Sequence, residues 1–100
     1  MKEPIVTRCS RELEPIIPRY LARRHEEIAR LRASLDAGDY AALRQIGHSL
    51  KGSGGGYGFA RLSDIGARIE QAALAADAPA LEGLLAEHAD YLQRLKVVFA

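Results

Sequence analysis

The sequence predicts an all-α protein built as an antiparallel, up-down-up-down four-helix bundle. Alternating β-branched stretches are scarce, and alanine, leucine, arginine and glutamate dominate the chain. Apolar residues recur at three- and four-residue spacings in four successive stretches. The connections between these stretches are short, which places neighbouring helices antiparallel. One hundred residues suffice for one hydrophobic core, so we expect a single domain over residues 1–100.

The first 17 residues precede the long apolar patterns. Pro4, Pro15 and Pro18 restrict helical geometry there, so residues 1–17 are expected to hold a turn or at most a short extra helix. Helix A is predicted over about residues 18–37, because Pro18 suits a first helical turn and Gly38 ends the pattern. Its inward stripe consists of Tyr20, Leu21, Ile28, Leu31 and Leu35.

Three further helices are bounded by aspartates, glycines and a proline. Helix B is predicted over about 39–54, from the capping residue Asp39 to a glycine-rich break. Helix C is predicted over about 59–76. Helix D is predicted over about 78–99, with Asp77 and Pro79 as its start signal. The inward faces include Leu43, Ile46, Gly47 and Leu50 in B, Leu62, Ile65, Ile69 and Ala73 in C, and Leu81, Leu85, Leu92, Leu95 and Phe99 in D.

Composition narrows the classes of function. The chain is 48% hydrophobic and 27% charged, and its net charge is +1. It therefore lacks the excess of basic residues that is typical of proteins that bind nucleic acid. Its one cysteine cannot form an internal disulfide, and it has no run of about 18 apolar residues. We therefore expect a cytoplasmic protein that binds neither membrane nor nucleic acid. We also expect a monomer, because this requires no additional assumption.

Three histidines are candidates for chemistry, because neutral imidazole is an abundant nucleophile near pH 7. His88 lies on the apolar stripe of helix D, where we expect a buried or boundary ring hydrogen-bonded to a neighbour. His25 lies among charged residues and is expected at the surface. His48 lies on a polar face of helix B, turned away from the core positions. Its neighbours three and four residues away are Arg44, Gln45, Lys51 and Gly52.

The stretch Gly47-His48-Ser49-Leu50-Lys51-Gly52, followed by Gly58, resembles the H-x-L-K-G motif of histidine-containing phosphotransfer domains. The similarity extends from Ile17 to Phe99. The resemblance implies that His48 accepts a phosphoryl group and that Lys51 orients it. It further implies that Gly52 is a small docking residue, that Gly58 lies at a turn and that Leu50 is a core anchor. The run Gly54, Gly55, Gly56 departs from the family pattern and leaves open how far helix B continues beyond Ser53.

The resemblance also implies partners. These are the receiver domain of a response regulator, a sensor histidine kinase, or both, with phosphoryl transfer to and from a receiver aspartate. We expect the receiver to dock around His48 on Ala41, Arg44, Gln45, Gly52 and Gly55. The chain itself is expected to need no cofactor and no metal, with magnesium bound only by the receiver. It would then be a phosphocarrier without ATP-dependent kinase activity.

Two other functions stay open. One is a non-catalytic helical bundle that binds a receiver or kinase domain, and the other is a bundle that binds RNA.

Several catalytic and ligand-binding motifs are absent from the sequence. Lys51 precedes the glycines, so the chain has no phosphate-binding G-x-x-x-x-G-K-[ST] loop. Lys51 also replaces the last glycine of a G-x-S-x-G nucleophile turn, and no paired histidine or cysteine spacing indicates a metal site.

Overall fold

The computed structural model describes residues 2–100, and within that range it contains four α-helices and two short strands. Strand β1 spans Ile5–Cys9 and is followed by a single 3-10 turn at Arg11–Leu13. The remaining elements are α1 (Ile17–Asp36), α2 (Tyr40–Gly56), α3 (Ala60–Leu74), α4 (Ala78–Arg94) and β2 (Leu95–Phe99).

The four helices form the predicted antiparallel bundle. Each helix packs against the next one along the chain, and α4 closes the ring against α1. Leucines and isoleucines from all four helices fill the core. The residues in it with at most 1% of their surface exposed are Ile17, Leu31, Leu43, Leu50, Phe59, Leu62, Ile65, Ile69 and Leu81. Periodic apolar spacing alone therefore predicted the architecture correctly, because each stripe can be buried only against other helices.

The helix boundaries follow from local capping chemistry. Asp39 accepts a hydrogen bond from the backbone N–H of Ala42, and Asp77 accepts one from Ala80. Gly38 adopts a φ of 69°, a left-handed conformation that ends α1. Helices α1, α2 and α3 begin and end within two residues of the bounds expected from the sequence.

Helix α2 continues through the glycine run to Gly56. Its last turns are supported from α3, because the Ser63 hydroxyl donates to the backbone carbonyl of Lys51 at 2.7 Å. The backbone at Gly54 passes so close to α3 that a Cβ there would lie 2.8 Å from the Ser63 nitrogen. Tertiary packing thus holds a glycine-rich stretch helical despite its low helix propensity.

The predicted extent of helix D was wrong. Helix α4 ends at Arg94, and residues Leu95–Phe99 form β2, which pairs in parallel with β1. The chain leaves the helix at Leu95, whose φ of −66° and ψ of 127° are extended. The segment expected to hold a turn or short helix instead contains β1 and the 3-10 turn. Leu95 and Phe99 match the helical stripe of α4, but Val97, Val98 and Phe99 also favour strands, and the pairing with β1 holds the segment extended.

Helices α2 and α3 cross at very short distance. The crossing is made by Gly47 on α2 and Gly66 on α3, both buried. A Cβ built on Gly66 would lie 2.5 Å from the Lys51 nitrogen, and one on Gly47 would lie 2.7 Å from the Glu70 nitrogen. Only glycine permits this approach of two backbones. The crossing places Lys51 opposite Gly66 and Glu70 opposite Gly47.

Among the described residues, no helix is both long enough and apolar enough to cross a lipid bilayer.

Candidate functional site

His48 projects from the outward face of α2. Its side chain is 71% exposed, while Gly47 and Leu50 on the same helix are buried. The helical period places the histidine opposite the core, because Leu43, Ile46 and Leu50 occupy the inward positions. A partner protein can therefore reach the imidazole without any rearrangement of the bundle.

One ring nitrogen of His48 is held by α3. The Nδ1 atom lies 2.9 Å from Oε2 of Glu70, a distance typical of a charge-assisted hydrogen bond. An ionised carboxylate can only accept, so this contact favours the tautomer with the proton on Nδ1. The Nε2 atom then has the free lone pair. Glu70 therefore orients the ring and selects which nitrogen can act as a nucleophile.

Lys51 lies one turn along α2 from His48 and faces the same carboxylate. Its Nζ atom is 3.6 Å from Oε1 of Glu70, and its side chain is 52% exposed. The two oxygens of Glu70 thus contact the histidine and the lysine separately. An ion pair this exposed contributes little to stability, but it keeps the ammonium group beside the imidazole.

A shallow groove of about 470 Å³ runs beside His48. Its walls are formed by Ala41, Arg44, Gln45, His48 and Glu70. Three residues expected to dock a partner, Ala41, Arg44 and Gln45, are thus gathered next to the histidine and are exposed. A second groove, of about 280 Å³, lies between α1 and α2, and Gln45 lines both.

The glycines singled out in the sequence occupy different settings. Apart from the chain neighbours of Gly52 and the nearby backbone of its own helix, no atom of residues 2–100 lies within 4 Å of the position that a Cβ on Gly52 would take, so the surface beside His48 is open there. Gly55 is exposed but turned partly toward α3, with the Ser63 hydroxyl 3.5 Å from its Cβ position. Gly58 has a φ of 89° in the turn after α2, a conformation that favours glycine. Leu50 is 1% exposed and packs in the core.

The other two histidines lie outside this site. His25 is exposed on α1, as expected. His88 is buried, with 1% of its surface exposed, as its place on the apolar stripe indicated. The expected hydrogen bond is missing, because neither ring nitrogen has a partner within residues 2–100. Burial lowers the pKa of His88 to about 4, with further lowering by Arg24 and His25. Its ring is therefore neutral at pH 7.

Across residues 2–100, no group of three or more histidine, cysteine, aspartate or glutamate side chains is arranged to hold a metal ion.

Sequence reasoning missed Glu70. It lies 22 residues from His48 and on a different helix, so helical spacing could not connect them. A signal was present in the buried glycines, since Lys51 follows Gly47 by four residues and Glu70 follows Gly66 by four. Two inward glycines on successive antiparallel helices indicate a close crossing, in which the residue one turn beyond each glycine lies opposite the other glycine. This places Glu70 opposite Gly47, next to His48.

The arrangement combines an exposed nucleophilic nitrogen, a carboxylate that orients it and a cation beside it. A family model described as the Hpt domain matches residues 16–97. No curated protein matches the chain, and no solved structure does.

Proposed function

The chain belongs to the Hpt domain family, and on that premise we propose that His48 is the residue that accepts and donates the phosphoryl group. Hpt domains perform histidine phosphotransfer in phosphorelays, and they interact with receiver domains and kinases. The observation that carries the assignment is the contact of His48 with Glu70. The contact favours a proton on Nδ1, which leaves the lone pair of Nε2 available on a side chain that is 71% exposed.

In the proposed transfer, Nε2 of His48 attacks the phosphorus of an aspartyl phosphate on a receiver domain. The N–P bond forms as the P–O bond to the aspartate breaks, and the receiver carboxylate leaves with the electron pair. No proton has to leave Nε2, because the ring proton is on Nδ1. Positive charge develops on the ring during attack, and the Glu70 carboxylate 2.9 Å away stabilises it. The reverse steps return the phosphoryl group to an aspartate.

Lys51 has a separate role in this proposal. Its ammonium is one turn from His48 and more than half exposed, so it can leave Glu70 and approach a phosphoryl group on Nε2. A lysine acts on phosphate as a compact point charge, which suits equatorial oxygens whose positions change during transfer. Lys51 therefore steadies the phosphoryl oxygens while Glu70 holds the ring.

The receiver docks on the exposed surface around His48. The groove formed with Ala41, Arg44 and Gln45 receives side chains of the partner, and the open surface at Gly52 lets its backbone approach. Gly55 extends this surface by one turn. Arg44 and Lys51 give the surface a positive rim, which attracts the acidic residues that a receiver uses to bind magnesium.

The chain contributes a nucleophile and a docking surface, and the partner contributes the aspartate and the magnesium ion. No cofactor and no ATP-dependent kinase activity of the chain itself enter the proposed reaction. We place the reaction in the cytoplasm, because a lone, buried cysteine needs no oxidising compartment. One copy of the chain holds all three side chains, so each monomer can transfer independently.

A labelling experiment tests the assignment. A panel of receiver domains, phosphorylated with radiolabelled acetyl phosphate, is mixed with the wild type and with His48→Gln. We expect an acid-labile, alkali-stable label on the wild type and none on the variant. His25→Gln is the matched control and is expected to label normally, because His25 is exposed on α1 away from the motif. Receiver binding without any label on the wild type would favour the non-catalytic binding module instead.

A further inference from the structure

The two-stranded sheet leaves backbone groups unpaired at its edges. Strands β1 and β2 pair only with each other within residues 2–100, so each has one free edge. A free strand edge presents a row of N–H and C=O groups that can pair with another chain. The sheet formed no part of the phosphotransfer site, and its register shows which groups are free.

The free groups of β2 belong to its odd-numbered residues. The Ala100 N–H donates to the Cys9 carbonyl, and the Arg11 N–H donates to the Ala100 carbonyl. Backbone groups alternate in direction along a strand, so Lys96 and Val98 also turn theirs toward β1. The N–H and C=O groups that point away from β1 are those of Leu95, Val97 and Phe99.

We propose that a second copy of this chain adds to the free edge of β2, antiparallel and around a two-fold axis at Val97. Antiparallel partners exchange two hydrogen bonds at alternate residue pairs. With the axis at Val97, Leu95 faces Phe99 of the second copy, Val97 faces its own counterpart and Phe99 faces Leu95. All three pairs join outward-pointing groups, which gives six backbone hydrogen bonds. The product is a four-stranded sheet with β1 at both edges.

The side chains favour this register over its neighbours. Lys96 is exposed on the outer face and lies opposite Val98 of the second copy, so no like charges meet. Moving the axis to Lys96 would set the two lysines directly opposite each other. Moving it to Val98 would lose a pair of hydrogen bonds. The strand Leu-Lys-Val-Val-Phe also has high β-propensity, and its four apolar side chains are only partly buried.

The contact is small, and the dimer is correspondingly weak. A five-residue strand edge buries far less than the roughly 1,600 Å² of a standard stable interface. The proposal therefore predicts a monomer in dilute solution and a dimer at high concentration. An interface that is isologous in this way closes on itself, so association stops at two copies on this edge.

Two variants that share the pairing of position 98 with Arg8 test the register. In Val98→Glu the new carboxylate lies opposite Arg8 within the sheet and opposite Lys96 of the second copy. In the double variant Val98→Glu/Lys96→Glu, the pairing with Arg8 is retained, but glutamates face each other across the dimer. Sedimentation equilibrium should show tighter dimers for V98E than for V98E/K96E, by about tenfold or more in Kd. Equal association of the two variants would overturn the proposal.

Amide hydrogen exchange on the wild type locates the contact. The Val97 N–H should become protected as the protein concentration rises, because it points to the free edge. The Val98 N–H should be protected at every concentration by β1. A wild type that stays monomeric up to about 1 mM, or that dimerises with no change at Val97, would also overturn the proposal. If the wild type stays monomeric, a different protein would be the candidate partner for the free edge of β2.

Discussion

Glu70 holds His48 through a 2.9 Å contact between Oε2 and Nδ1, and the two residues reach each other from different helices. The contact exists because Gly47 and Gly66 let α2 and α3 cross at backbone distance. The ring is therefore oriented by the bundle itself, while its other face stays open to a partner. In the proposed transfer, this arrangement orients the ring before the partner arrives, which reduces the entropy lost on reaching the transition state.

Replacing Glu70 should slow phosphotransfer without abolishing it. Glu70→Ala removes both the acceptor for Nδ1 and the compensating charge, and we expect a loss of about tenfold, or about 1.4 kcal/mol of barrier. Glu70→Gln keeps an acceptor and should lose less. Single-turnover transfer from a phosphorylated receiver measures both rates. Glu82→Ala, which removes an exposed carboxylate on α4, is the control. Unchanged transfer by Glu70→Ala would show that the contact does not orient the reacting ring.

A bulky residue at Gly52 should block docking while stabilising the helix. The Cβ position there is free of atoms within residues 2–100, so Gly52→Leu folds and gains up to about 1 kcal/mol of helix propensity. Its side chain would occupy the surface beside His48, and we expect transfer to slow at least about tenfold. Gly83→Leu makes the same change at an equally open position on α4. Equal transfer by the two variants would exclude steric docking at Gly52.

The close crossing of α2 and α3 predicts a large loss of stability at Gly66. A Cβ there would lie 2.5 Å from the Lys51 nitrogen and 2.7 Å from the Gly47 carbonyl oxygen. Gly66→Ala should therefore lower the free energy of unfolding by about 1–3 kcal/mol, because the backbones must separate. Gly83→Ala should raise it by up to about 1 kcal/mol through helix propensity. Urea unfolding curves compare the two, and a Gly66→Ala protein as stable as the wild type would contradict the crossing.

His88 should make the fold sensitive to acid. Burial lowers its pKa in the folded chain to about 4, from an ordinary value of 6.5. Well above pH 6.5 the ring is neutral in both states, so it has no effect on stability there. As the pH falls through 6.5, the unfolded chain binds a proton at this ring and the folded chain does not. The free energy of unfolding therefore decreases as the pH drops toward 4. The total loss is about 3 kcal/mol.

Replacement of His88 by leucine isolates this contribution. His88→Leu should flatten the fall in unfolding free energy between pH 6.5 and pH 4. At pH 7 it should be at least as stable as the wild type, because two buried nitrogens without partners in residues 2–100 are removed. His25→Gln, an exposed histidine, is the control and should keep the wild-type slope. Parallel pH profiles for His88→Leu and the wild type would contradict the effect of burial.

Local sequence signals were sufficient to predict the helical part of the fold. The stripes at three- and four-residue spacing, the caps Asp39 and Asp77 and the left-handed Gly38 act over one or two turns, so they can be recognised without knowing the rest of the structure. The same reasoning predicted that His48 faces outward and Leu50 inward, because the two lie on opposite sides of one helical period.

Contacts between distant residues were decided by the tertiary structure. Leu95–Phe99 continues the apolar stripe of α4, but it is a strand paired with Ile5–Cys9. Glu70 reaches His48 only because two buried glycines set the distance between α2 and α3. The sequence by itself therefore determined the bundle and the exposed histidine, since propensity and periodicity are local properties. The tertiary structure decided which nitrogen of that histidine is free and where the last helix ends, since both depend on residues remote along the chain.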